Sequence, residues 1–138
     1  GGGAVLFATQ PQKAVINDSN AELINVYEIV KNQPEELISL LEQHREANCQ
    51  EYFYQIRALD REPEAYGQLT PVERAARIIY LNKTCYNGLF RVNSSGQFNA
   101  PWGRYKNPNI SGADNIRAMS AYLNRARVTI NAETTGKP

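Results

Sequence analysis

The sequence predicts an α/β fold interrupted by an inserted, mostly helical subdomain that carries a β-hairpin, and three observations carry the prediction. Strand-like and helix-like patterns occur at both ends, over 14–33 and 113–130. Apolar residues between 34 and about 83 recur at helical spacing. From 86 to 105 the pattern becomes irregular and rich in turn residues. These shifts divide the chain into 1–33, part of an α/β unit; 34–112, the insert, with its hairpin at about 86–105; and 113–138, a truncated return to the α/β unit.

The elements follow in order. Ala4-Val5-Leu6-Phe7-Ala8 begins a helix that the turn at Pro11 closes, and residues 14–17 form a short strand. Ser19 followed by Glu22 is a capping box. The helix it opens places Leu23, Ile24, Tyr27 and Val30 on one face. Pro34 fits the first position of a second helix, with Glu35 and Glu36 in its first turn, where the helix dipole favours acids. Leu37, Leu40, Leu41 and His44 continue its stripe. Residues 50–59 form a third helix, aromatic along Tyr52, Phe53 and Ile56, and the charged run 60–64 reads as a loop. Thr70-Pro71-Val72-Glu73 is a second capping box, opening a helix to about Lys83 with Val72, Ala75, Ala76, Ile79 and Leu81 buried. Residues 89–92 and 97–99 flank the turn 93–96 as the arms of an irregular hairpin. Ser111-Gly112-Ala113-Asp114 starts a last helix carrying Ile116, Met119, Tyr122 and Leu123, and residues 127–130 form a closing strand.

Composition bounds the function. With 138 residues, 42% hydrophobic and 21% charged, the chain can hold a core without disulfides, and two cysteines exclude a disulfide scaffold. No apolar run approaches the roughly 18 residues that a membrane span needs, so a soluble, cytoplasmic protein with no membrane partner is expected. The net charge of +1 conceals an asymmetry. Residues 1–82 hold 7 basic and 12 acidic side chains, whereas 83–138 hold 8 and 2. A basic second part predicts an anionic partner.

Two constellations carry chemistry. In the first, Gly1-Gly2-Gly3-Ala4 is followed by Asp18 at the end of the next strand. Glycines at a strand-to-helix turn let a cofactor approach the backbone, and an acid at that strand end accepts from ribose hydroxyls. This pattern fits a nicotinamide dinucleotide and S-adenosylmethionine equally. The second runs from Tyr86-Asn87-Gly88-Leu89-Phe90-Arg91-Val92-Asn93 to Asn99, Pro101, Arg104 and Lys106, with no acid from Lys83 to Gly112. It combines a guanidinium able to fork onto guanine, amides for adenine edges or phosphates, stacking rings and apolar wedges. Elsewhere, His44 on an apolar helix edge reads as structural, and Tyr52-Phe53-Tyr54 as a packing face. Cys49 and Cys85 lack metal-ligand spacing, so no metal site is expected.

Taken in order, Gly1-Gly2-Gly3-Ala4, Val15-Ile16-Asn17-Asp18, Arg74 to Lys83, Tyr86-Asn87-Gly88-Leu89 and Gly96-Gln97-Phe98-Asn99-Ala100-Pro101-Trp102-Gly103-Arg104-Tyr105-Lys106 resemble the DNA adenine methylase (Dam-like) family over about residues 1–125. The resemblance implies a Rossmann-like, S-adenosylmethionine-dependent methyltransferase fold with an inserted target-recognition domain. It implies methyl transfer to the N6 of adenine in double-stranded DNA, with GATC as the favoured site, alone or within a restriction–modification pair. By resemblance, Gly1, Gly2, Gly3, Ala4 and Asp18 hold the cofactor, and Arg91 reads a guanine. Leu89 and Pro101 match apolar base contacts, and Tyr86 and Asn87 match the pair that enters the duplex near the extruded adenine. Asn93, Asn99 and Arg104 match phosphate-contacting or hairpin-holding positions, and Lys106 belongs to the same DNA-binding set.

The family's catalytic tetrapeptide, Asp-Pro-Pro-Tyr, does not occur in these 138 residues. The expectation is therefore an incomplete chain, without catalytic residues of its own and inactive alone, whose further partner is the remainder of the enzyme. The alternatives are a non-catalytic DNA-binding module and one part of a split methyltransferase.

Overall fold

A computed structural model describes residues 15–18, 21–88, 91–106, 108–125 and 129–132. Six α-helices make up most of this: α1 (Ala21–Asn32), α2 (Pro34–Ala47), α3 (Gln50–Ala58), α4 (Pro63–Gly67), α5 (Pro71–Thr84) and α6 (Ala113–Arg125). Strand β1 (Val15–Asp18) pairs in parallel with β2 (Thr129–Ala132), Val15 opposite Thr129 and Asp18 opposite Ala132.

The α/β, Rossmann-like expectation is corrected by this architecture: the described molecule is a helical body. Paired extended backbone among the described residues amounts to that one short pair and two isolated antiparallel bridges, Cys85 with Trp102 and Val92 with Phe98. A two-stranded pair buries too little to organise a core. The amphipathic helices bury their stripes against one another instead, and α1 and α2 each pack on both α5 and α6. The expected β-hairpin is not a ladder either. Its first residues form a 3-10 turn, Tyr86–Gly88, its arms meet at the single Val92–Phe98 bridge, and side chains of the helical body hold the second arm beyond it.

One apolar core runs through all three sequence ranges, from Tyr27 and Val30 through Leu37, Leu41, Phe53, Tyr80 and Leu81 to Met119 and Leu123. Helix α5 lies at its centre, and its start follows the sequence signal. Thr70 Oγ1 accepts from Glu73 N–H at 3.3 Å while Glu73 Oε1 accepts from Thr70 N–H at 2.9 Å. Because neighbours surround α5, its burial extends beyond the expected stripe to Arg77, Ile78, Tyr80 and Thr84, while Ile79 is only partly covered. The expected stripe of α6 is buried, and α2 buries Ile38 along with Leu37 and Leu41. The capping box at Ser19 and the helix at residues 4–8 lie outside the described residues.

Candidate nucleic-acid interface

Helix α5 delivers the chain to the interface. Thr84 Oγ1 donates to Tyr80 O, Cys85 leaves in extended conformation, and the returning strand of chain closes on it. Tyr86 N–H donates to Pro101 O at 2.7 Å and Gly103 N–H to Thr84 O at 2.8 Å. Gly103 is required by this closure, since a Cβ there would lie 2.5 Å from a Tyr105 ring carbon and 2.9 Å from Cys85 O. Gly88, at φ +60°, ends the 3-10 turn in a conformation that suits glycine. The turn leaves Tyr86 57% exposed, and Pro101 is exposed beside it. Leu89 and the Asn87 side chain lie outside the described residues.

The tip is built by one amide. Asn93 Oδ1 accepts from Ser95 N–H at 2.9 Å and Gln97 N–H at 3.0 Å, and Asn93 Nδ2 donates to Gln97 Oε1 at 3.0 Å. This Asx-type arrangement reinforces the backbone bonds of the turn, Asn93 N–H to Gln97 O at 2.8 Å and Gly96 N–H to Asn93 O at 2.9 Å. Across the arms, Asn99 N–H donates to Arg91 O at 2.9 Å, and Arg91 Nε donates to Asn99 Oδ1 at 3.1 Å. Arg91 is otherwise exposed, as are Arg104 and Lys106. Arg104 has a φ of +63°, a left-handed backbone that an arginine adopts at a cost.

What fixes the arm to the body is a cluster that the sequence reading passed over. Asp60 Oδ2 accepts from Phe98 N–H at 2.7 Å, and Arg61 Nη2 donates to Phe98 O at 2.7 Å. Arg57 Nη1 reaches Ala100 O at 3.1 Å, and Trp102 N–H donates to Tyr54 Oη at 3.2 Å. Beneath them Arg77, 2% exposed, donates to Ile56 O and Arg57 O and pairs with Asp60 at 3.0 Å. Burial pushes the Arg77 guanidinium below its ordinary range, against the pull of Asp60. Burial likewise raises the Glu22 carboxyl, opposed by Arg74 and Arg77. The run 60–64 reads as a loop in the sequence because its partners at Phe98 lie far along the chain; it instead ends a 3-10 turn, Leu59–Arg61, and begins α4. A usable signal was Arg77, one turn before Leu81 on a core helix, where a charge needs a buried counter-ion.

The other candidates stay with packing. His44 Nδ1 shares a hydrogen bond with Tyr52 Oη at 2.6 Å and its ring stacks on Tyr80 at 4.9 Å; burial lowers it to about 4. Glu35 forms a two-pronged bond with Arg117 of α6, at 2.8 and 3.0 Å, which lowers its carboxyl. Cys85 is buried and Cys49 exposed. Among the described residues no three His, Cys, Asp or Glu side chains gather as a metal site, and no helix is long and apolar enough to cross a membrane. Gly1, Gly2, Gly3 and Ala4 lie outside the described residues, and Asp18 is placed only as the last residue of β1.

A cation-bearing, acid-free arm braced on a helical body presents a surface chemically suited to an anionic partner, and comparison narrows the class. The family model of the D12 class N6 adenine-specific DNA methyltransferases matches residues 1–136, and the chain belongs to this family. It is 50% identical over 130 residues to the type II methyltransferase M1.LlaDCHI of Lactococcus lactis subsp. cremoris, covering 94% of this chain and 45% of that protein. It is 40% identical to the type II methyltransferase M.MjaIII of Methanocaldococcus jannaschii, covering 93% and 47%. It is 37% identical to the DNA adenine methylase of Escherichia coli strain K12, covering 83% and 40%. The chain thus spans somewhat under half the length of these relatives.

Proposed function

We propose that the protein carrying this stretch methylates the N6 of adenine in double-stranded DNA, with GATC as the favoured site, and that residues 84–106 are its DNA-reading arm. The observation that carries the reading is Arg91: an exposed guanidinium, oriented by Asn99, on an arm with no acid from Lys83 to Gly112. Its fork matches the O6 and N7 acceptors of guanine in the major groove. Tyr86, exposed at the root of the arm, offers a ring where a base leaves the stack, and Asn87 and Leu89 follow it in the sequence. Pro101 offers an apolar face to bases. Arg104 and Lys106 meet phosphates, while Asn93 and Asn99 hold the arm in register.

S-adenosylmethionine is the proposed donor, and it supplies the methyl group. Asp18 is the last residue of β1, and a carboxylate there suits ribose hydroxyls. Gly1, Gly2, Gly3 and Ala4 would border the same cofactor.

The test is methyl transfer by the full-length protein from labelled S-adenosylmethionine to short duplexes. Label at adenine N6 in a duplex containing GATC, and little in one with that adenine replaced, is the expected result. Label on cytosine, or equal label in both duplexes, overturns the reading.

A further inference from the structure

The geometry points to Asp60, held by Arg77, as the positioning residue that sets the reading arm and through it the base discrimination exercised by Arg91; this rests on the DNA-reading role given above to residues 84–106. One carboxylate serves three donors: Arg61 Nη1 at 2.7 Å on Oδ1, and Phe98 N–H at 2.7 Å with Arg77 Nη2 at 3.0 Å on Oδ2. Arg61 returns its other nitrogen to Phe98 O, so the two polar backbone groups of Phe98 are gripped by consecutive residues of the helical body. The Phe98 ring is buried beneath that grip. The next residue, Asn99, bonds Arg91 through both backbone and side chain. A continuous path of short bonds therefore joins a buried cation of α5 to the exposed guanidinium.

The chemistry explains why the path starts at a charge. A carboxylate accepting a backbone N–H makes a shorter, stronger bond than a neutral acceptor. Arg77 fixes that carboxylate from below, where its own burial makes an anion obligatory. A guanidinium that forks onto two atoms of one base must be placed within about 0.5 Å. Phosphate contacts by flexible cations tolerate larger shifts, so loosening the grip at Phe98 removes discrimination before it removes affinity.

The experiment is made in the full-length protein with Asp60→Asn and with the pair Asp60→Asn and Arg77→Met, which avoids an unpaired buried cation. Binding is measured for a GATC duplex and for one with the G·C pair inverted, beside thermal unfolding. The double variant is expected to stay folded and bind the inverted duplex within about twofold of the parent, while losing at least about fivefold of its discrimination, the lower end of what one forked pair confers. Equal weakening on both duplexes, or an unchanged ratio, overturns the assignment; if the double variant does not fold, Asp60→Asn alone is judged by the same ratio. Arg91→Ala is run in parallel. If it abolishes discrimination while the Asp60 variants keep it, only the role of Asp60 fails; if it leaves the ratio intact, the DNA-reading role of the arm fails first.

Discussion

Arg104 shows how much a single residue can hold in tension. Its left-handed backbone, φ +63°, costs an L-residue about 1–2 kcal/mol, and the exposed guanidinium gains no hydrogen bond among the described residues to offset it. Such strain at a surface position fits a side chain retained for a partner. Arg104→Gly and Arg104→Ala remove the same charge but only the first relieves the backbone. The glycine variant is expected to be more stable by roughly 0.5–1 kcal/mol, after the larger entropy of its unfolded chain is subtracted, as read from urea midpoints. Both variants should lower the slope of log K against log salt by about one without changing sequence preference. At this scale the arginines, asparagines and aromatics of an acid-free run stand out in the sequence, and their contact with DNA is the proposal made above. Arg77 signals a buried counter-ion, but that Asp60 is that partner and also holds Phe98 was not legible. A charge shows its partner only after folding, and that of Asp60, the Phe98 peptide, lies 38 residues on.

Among the elements, α5 was read best because its signals are local: a threonine, a proline and a glutamate in a fixed order satisfy the first free N–H groups. Thr70→Ala is expected to cost about 1 kcal/mol, measured as a shift in denaturation midpoint with unchanged slope. Since α5 carries both Arg77 and the root of the arm, the same variant should make the amides of residues 84–86 exchange faster in hydrogen-exchange measurements. The arm itself was recognised as a turn between two extended stretches, yet not as what it is. The two arms bond each other only around the Val92–Phe98 bridge, and Asp60, Arg61, Arg57 and Tyr54 hold the rest of the second arm from α3 and the turn that follows it. Side-chain partners leave no periodic trace in a sequence.

For the whole molecule, the strand-like ends suggested a sheet, and residues 15–18 and 129–132 do pair, but the core is made by helices between them. End segments reveal pairing potential and not how much sheet they belong to. The helical core also sets the response to acid. His44, wedged against Tyr52 and Tyr80, titrates at about 4 when folded and near 6.5 when unfolded. Between those values the unfolded chain binds more protons, so this contribution is complete above about pH 6.5 and is lost as pH falls to 4, in total about 3 kcal/mol. Glu22, raised by burial, works in the opposite direction. Urea midpoints across this range should fall steeply for the parent and less steeply for His44→Gln; parallel curves would show that His44 is solvated. The central claim concerns the arm that this core supports, and competition binding by Arg91→Ala tests it most directly. The expected result is a loss of about 1–3 kcal/mol on a GATC duplex with relaxed preference at one G·C pair, and an equal loss on every duplex, whatever its sequence, would contradict the reading.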